Sequence, residues 1–194
     1  MIKIIEKERF LKMKNNIMPP LVLTIICIVV SGLLVFAHDK TYKDTTGVMT
    51  DELKAGCEEI FDDGDYEILM NNNTPVTFET DGIVSIITDS TKEKCLVEIT
   101  QDGYAKGGLH LLIGINTEGA VEGIYFLEIG ETPGLGTKVQ DKSFTDRLKG
   151  FNKDTNPDKI DNVTSATYSS KGMKSACKKA VELYDNHKEE ILNG

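Results

Sequence analysis

The chain has 194 residues, of which 40% are hydrophobic and 27% charged, and its net charge is -9. That length suffices for one domain with its own core plus a short appendage, and the composition excludes a disordered chain. The acidic balance excludes nucleic acid as a partner, because phosphates need Lys and Arg to neutralise them.

Residues 1–16 carry Lys3, Lys7, Arg9, Lys12 and Lys14 against Glu6 and Glu8, so the remainder is more acidic than the whole. Residues 17–37 read IMPPLVLTIICIVVSGLLVFA, without one charged side chain. At about 1.5 Å per residue this run spans roughly 30 Å, the thickness of a bilayer's hydrocarbon core. We read 1–16 as a cytoplasmic N-terminal segment and 17–37 as a transmembrane helix. Pro19 and Pro20 fall near its start, where a helix tolerates them best. The basic residues before the span put the N-terminus in the cytoplasm and the main domain outside the cytoplasmic membrane. The rival reading is a cleaved signal peptide ending at Val35-Phe36-Ala37, though the apolar run is longer than such signals use. Polar residues 38–48 read as a tether.

Residues 49–194 read as one extracytoplasmic domain. Spacing predicts a helix over 49–61, with Leu53, Cys57, Ile60 and Phe61 on one side and Thr50 as N-cap. Residues 71–75 read as a loop. Strands are expected at 82–88, 95–100, 109–115 and 120–128, joined by turns as an antiparallel meander. A Gly/Pro loop follows at 131–136, then a short helix over 141–148. The last helix is expected over 169–192, with Met173, Cys177, Ala180, Val181, Tyr184 and Ile191 on its apolar face. Ser169 or Ser170 is its expected N-cap. The fold class is α+β, an antiparallel sheet packed by helices. Cys57, Cys95 and Cys177 have no metal-binding spacing and read as buried or isolated thiols. Cys27 lies within the apolar run.

Chemistry concentrates in Asp161-Asn162-Val163-Thr164-Ser165-Ala166-Thr167-Tyr168-Ser169-Ser170, a small-residue stretch before a helix. A helix start offers unpaired N–H groups and a positive dipole end, and small residues let an anion reach them. In Glu131-Thr132-Pro133-Gly134-Leu135-Gly136, fixed and permissive φ angles alternate, so backbone N–H groups can approach a ring or a phosphate. Ser175-Ala176-Cys177-Lys178 has the S-x-x-K form of penicillin-binding enzymes. Its companions S-D-N and K-T-G are absent, which disfavours a hydrolase. An exported binding module without redox chemistry stays open on the residues alone.

Asp161-x-x-Thr164-Ser165-Ala166-Thr167 resembles the flavinylation motif of the FMN-binding domain family, D-x-x-[ST]-[GS]-A-T. The loop 131–136 is similar to that family's E-T-P-G-L-G. Asp102-Gly103-Tyr104, Gly107, the apolar run 109–115 and Glu118-Gly119 follow the family order. The resemblance implies FMN bonded through its phosphate to the hydroxyl of Thr167. Ala166, Ser165, Thr164, Glu131, Thr132, Gly134, Leu135 and Gly136 would then surround the cofactor, with Thr132 and Thr164 toward its phosphate or ribityl chain, and with Glu131 either hydrogen-bonding the loop itself or contacting the flavin. Asp161 would serve recognition by the flavin transferase that installs FMN from FAD with Mg2+, or bind that enzyme's metal during transfer. No side chain is implied as an acid or base, and no resident metal. The family includes the G subunit of Rnf ion-translocating ferredoxin:NAD oxidoreductases and the C subunit of sodium-pumping NADH:quinone reductases. The short chain favours the first. The implied partners are the other membrane subunits of an Rnf-type complex, the flavin transferase and the lipid bilayer. The alternatives are the quinone-reductase protein or a free-standing exported electron carrier. Most members have Gly where this chain has Ser165.

Overall fold

The computed structural model describes residues 2–41 and 47–193, with side chains described over 17–41 and 47–192. The chain divides into two units, Met1–Asp44 and Thr45–Gly194. The first is one helix, α1, Ile2–Thr41. Its part Ile17–Thr41 is long and apolar enough to cross a membrane. Leu23, Ile28, Leu33, Leu34, Val35 and Phe36 are exposed along it, an apolar surface that water disfavours and lipid accepts. The helix runs through Pro19 and Pro20 rather than starting there. A proline inside a helix leaves the carbonyl four residues back without its N–H partner. Just beyond, the Thr24 hydroxyl donates to the Pro20 carbonyl at 2.8 Å. Of the expected tether, 38–41 is helical and 42–46 lies outside the described residues.

The second unit is built on an antiparallel sheet. Its helix α2, Asp51–Phe61, is capped by Thr50, whose side chain accepts from the Leu53 N–H. The strands are β1 (Tyr66–Ile68), β4 (Ile83–Asp89), β5 (Cys95–Gln101), β6 (Leu109–Ile115) and β7 (Val121–Ile129), in the order β1-β4-β5-β6-β7. Consecutive strands β4 to β7 pair antiparallel, with Leu96 opposite Ile87 and Gly114, and Leu112 opposite Tyr125. The meander therefore stands within a residue or so of its expected bounds. The expected loop at 71–75 is instead the turn of a small hairpin, β2 (Met70–Asn71) with β3 (Thr74–Pro75). Asn72 and Asn73 both take positive φ there, which Asn tolerates and a two-residue hairpin turn requires. Strand β1 has only three residues, too few for an alternation to register.

Both faces of the sheet are covered. On one, Val97, Ile99, Leu109, Leu111, Ile113 and Ile115 pack with Met173, Cys177, Ala180 and Tyr184 of α4, Thr167–Asn193. On the other, Ile87, Leu96 and Leu112 pack with Leu53 and Cys57 of α2. The near-continuous burial of β5 and β6 follows, since each residue meets a helix whichever way it points. After β7 come a 3-10 turn at Gly136–Gln140, the short helix α3 (Lys142–Thr145) and a second 3-10 turn at Pro157–Lys159. They lead the chain from the end of β7 to the start of α4.

Candidate functional site

Three segments meet around a groove of 340 Å³. Tyr104 comes from the connection between β5 and β6. Thr132, Leu135 and Gly136 come from the loop after β7. Ser165 to Ser169 come from the start of α4. The two segments singled out by motif lie 25 residues apart in sequence at their nearest ends, Gly136 and Asp161, and the fold makes them facing walls.

Helix α4 begins at Thr167, two residues before the earliest expected cap. The correction has a local cause. Val163 to Ala166 closes a turn, with the Ala166 N–H on the Val163 carbonyl at 3.0 Å, and the Ser170 N–H then bonds the Ala166 carbonyl. Ser169 and Ser170 are thus first-turn residues, and both are buried. The Ser169 hydroxyl donates to Glu131 Oε2 at 2.5 Å, and Ser170 Oγ accepts from the Val163 N–H at 2.9 Å. Lys174 fixes the same approach, its Nζ donating to the Ile160 carbonyl at 3.0 Å. Ser165 sits at φ 67°, the left-handed region that glycine occupies without strain.

The position preceding α4 is Ala166, which has no side-chain oxygen to cap with, and the first turn holds no acidic residue. Its leading N–H groups therefore remain available, beside the exposed Thr167. Of the expected site residues, Thr132, Leu135, Gly136, Ser165, Ala166 and Thr167 line the groove. Thr164 is exposed in the turn before it. Gly134 takes φ 72° at the loop's tip, its N–H on Thr137 Oγ1 at 2.9 Å. Asp161 is exposed, and its carbonyl accepts from Arg147 Nη1 at 3.4 Å. Glu131 is buried and does not line the groove. Its carboxylate accepts from the N–H groups of Tyr104 (3.2 Å) and Ala105 (3.1 Å) as well as from Ser169.

Sequence reasoning missed two aromatic members. Tyr104 is 72% exposed and Tyr168 67%, and their rings meet edge-to-face at 6.2 Å. Both stand inside the motif stretches, Tyr104 in Asp102-Gly103-Tyr104 and Tyr168 in Asp161 to Ser170, and that placement is the available signal, although neither is assigned to the site from sequence. Residue type alone sends a tyrosine to the core as readily as to a site.

Elsewhere, a larger cavity of 560 Å³ lies against β7 and α3, among Glu59, Glu122, Lys142, Asp146 and Lys149. It contains no motif residue. On the α2 face, Ser85 Oγ donates to Glu98 Oε2 at 2.5 Å, and His110 Nε2 lies 2.8 Å from Glu98 Oε1. The serine bonds the carboxylate rather than the imidazole, so this trio lacks the contact that activates a serine nucleophile. Burial pushes the thiols of Cys57, Cys95 and Cys177 up to about 12, Glu58 adding to the rise at Cys57, and such thiols stay unreactive.

The groove fits a flavin phosphate and ring. A hydroxyl is presented at an open helix start, the backbone there is reachable past small side chains, and Tyr104, Leu135 and Tyr168 give apolar surface beside it. Residues 103–182 match the FMN-binding domain family. The chain is 31% identical over 106 residues to the G subunit of the ion-translocating oxidoreductase complex of Aliivibrio fischeri, covering 48% of this chain and 50% of that one. The G subunit from Vibrio cholerae is 34% identical over 108 residues, 49% of this chain and 51% of the relative. In both, the match spans about half the relative's length. The G subunit from Pseudoalteromonas atlantica aligns over 89% of this chain and 90% of its own, at 24% identity. Among solved structures, the C subunit of the Na+-translocating NADH-quinone reductase of Parabacteroides distasonis superposes with a TM-score of 0.43 at 17% identity, covering 81% of this chain and 92% of that one.

Proposed function

We propose that Thr167 carries FMN as a phosphoester, and that the chain is the electron-transferring G subunit of an Rnf-type ion-translocating ferredoxin:NAD oxidoreductase. The observation that carries this is the exposed Thr167 at the uncapped start of α4, opening into the groove. The threonine oxygen takes the FMN moiety from FAD, with release of AMP, on a Mg2+-dependent flavin transferase. Bound FMN supplies exchange of one or two electrons. The chain's own residues position and shield. The leading N–H groups of α4 hold the phosphate, with Thr132 and Thr164 beside it. Tyr104, Leu135 and Tyr168 flank the ring and keep water from part of its surface. Gly134 shapes the loop, and exposed Asp161 is the handle the transferase recognises. Helix α1 anchors the protein in the cytoplasmic membrane with the domain outside, its basic N-terminal segment held in the cytoplasm. Other membrane subunits of the complex receive and deliver the electrons. The relative that aligns over nearly its full length is named as a G subunit, which supports the Rnf reading over the quinone-reductase one.

Co-expression with a flavin transferase should give a band that fluoresces under ultraviolet light on a denaturing gel. A dark band from a wild-type chain made this way would refute the covalent assignment. Mass spectrometry of partners that copurify with the native protein tests the complex separately.

A further inference from the structure

Glu131 occupies an unusual position for a buried carboxylate. It is 4% exposed, and among the described residues the ion pairs engage other carboxylates, such as Glu58, Glu98, Asp146 and Asp185, but not Glu131. Three donors converge on it instead: the Tyr104 N–H, the Ala105 N–H and the Ser169 hydroxyl. An acceptor-only group is what three donors suit. Space is reserved for it. A Cβ on Gly103, Gly108 or Gly136 would fall no more than 2.6 Å from its carboxylate oxygens. Its partners also belong to the groove. Tyr104 and Ser169 line it, Gly136 lines it, and Thr132, the next residue in the chain, lines it as well. One carboxylate thus ties all three walls together, a single residue layer behind the space they enclose.

Resting on the FMN reading above, we propose that Glu131 is a positioning residue of the flavin site whose buried negative charge also lowers the flavin's midpoint potential. The physical reason is Coulombic. Adding an electron next to a fixed anion costs free energy, and the cost is larger where protein rather than water fills the gap. The three donors moderate that charge without cancelling it. The groove therefore combines two opposed fields: the positive start of α4 on the phosphate, and Glu131 behind the walls.

The test uses the full-length chain in detergent, made with the flavin transferase. Wild type, Glu131→Gln and Ser169→Ala are compared by band fluorescence, by redox titration of the flavin absorbance, and by the melting temperature of flavin-free protein. Glu131→Gln should melt lower, because an amide nitrogen now faces an N–H donor, and its loaded form should titrate at a more positive potential. Ser169→Ala keeps the charge and removes one donor, so its potential should move the opposite way. A loaded Glu131→Gln protein with an unchanged or more negative potential overturns the proposal. Should that variant not fold, Ser169→Ala decides alone, and a potential equal to or above wild type overturns it. A dark wild-type band is a distinct result, which would sink the flavin assignment first and this inference with it.

Discussion

Helices α2 and α4 both begin beside the sheet, yet their first turns are finished in opposite ways. At α2, Thr50 accepts from the Leu53 N–H at 3.1 Å, and Asp51 and Glu52 put negative charge against the helix dipole. That start is complete without a ligand. At α4, Ala166 offers no oxygen, the first turn has no acid, and the hydroxyls of Ser169 and Ser170 are committed to Glu131 and Val163. The two starts differ in that α2's first turn is finished by its own residues, whereas α4's leading N–H groups meet neither a capping oxygen nor an acid on a start that is otherwise firmly held. A third case lies between β4 and β5. There Asp89, the chain's own anion, accepts from the Thr91 hydroxyl and from the N–H groups of Glu93 (3.0 Å) and Lys94 (2.9 Å).

The contrast can be broken most sharply at Thr167. Thr167→Val should abolish the fluorescent band while the melting temperature of the flavin-free protein stays close to wild type, because the side chain is exposed. A fluorescent band from that variant would move the linkage elsewhere. Thr50→Ala probes the finished start. It should cost about 1 kcal/mol in a denaturant titration and leave flavin content unchanged. Tyr168→Glu gives α4 the first-turn acid that α2 already has. The flavin-free protein should gain about 0.3–1 kcal/mol, and the rate of flavin incorporation should fall roughly two- to fivefold as the new charge competes with phosphate. Ser165→Gly should have the smallest effect. Relief at φ 67° and the extra freedom of an unfolded glycine oppose each other, so stability should change by less than about 1 kcal/mol.

Acid tests the internally occupied site. Burial alone would raise the Asp89 carboxyl, but the hydrogen bonds from Thr91, Lys94 and Glu93 outweigh it and hold it below its ordinary 3.8. A depressed carboxyl stabilises the fold above its unfolded value and loses that contribution as pH falls through the folded one. Stability should therefore begin to drop near pH 4, and Asp89→Asn should flatten that part of the profile in a series of urea titrations.

Much of this architecture is legible in the chain. The Thr50 cap, the four strands of the meander and the apolar face of α4 all depend on spacing over a few residues, where pattern and local energetics agree. The covering of the second sheet face by α2 is present only as a hint, in the near-unbroken apolar run of β6. The start of α4 is misplaced by sequence because serine is a good cap by type, and nothing local reveals that Ser169 is drawn away by a carboxylate 38 positions earlier. Tyr104 and Tyr168 become a pair, and Glu131 turns inward, for the same kind of reason.

By itself the sequence determined the apolar N-terminal helix, the strand meander and the two motif segments, because each follows from residue type and period within a short window. Tertiary structure alone decided that those segments face one another across one groove, that α4 starts at Thr167 without a cap, and that Glu131 sits behind the walls with three donors. Those are contacts between residues far apart in the chain, and their geometry exists only once the buried sheet holds both ends in place.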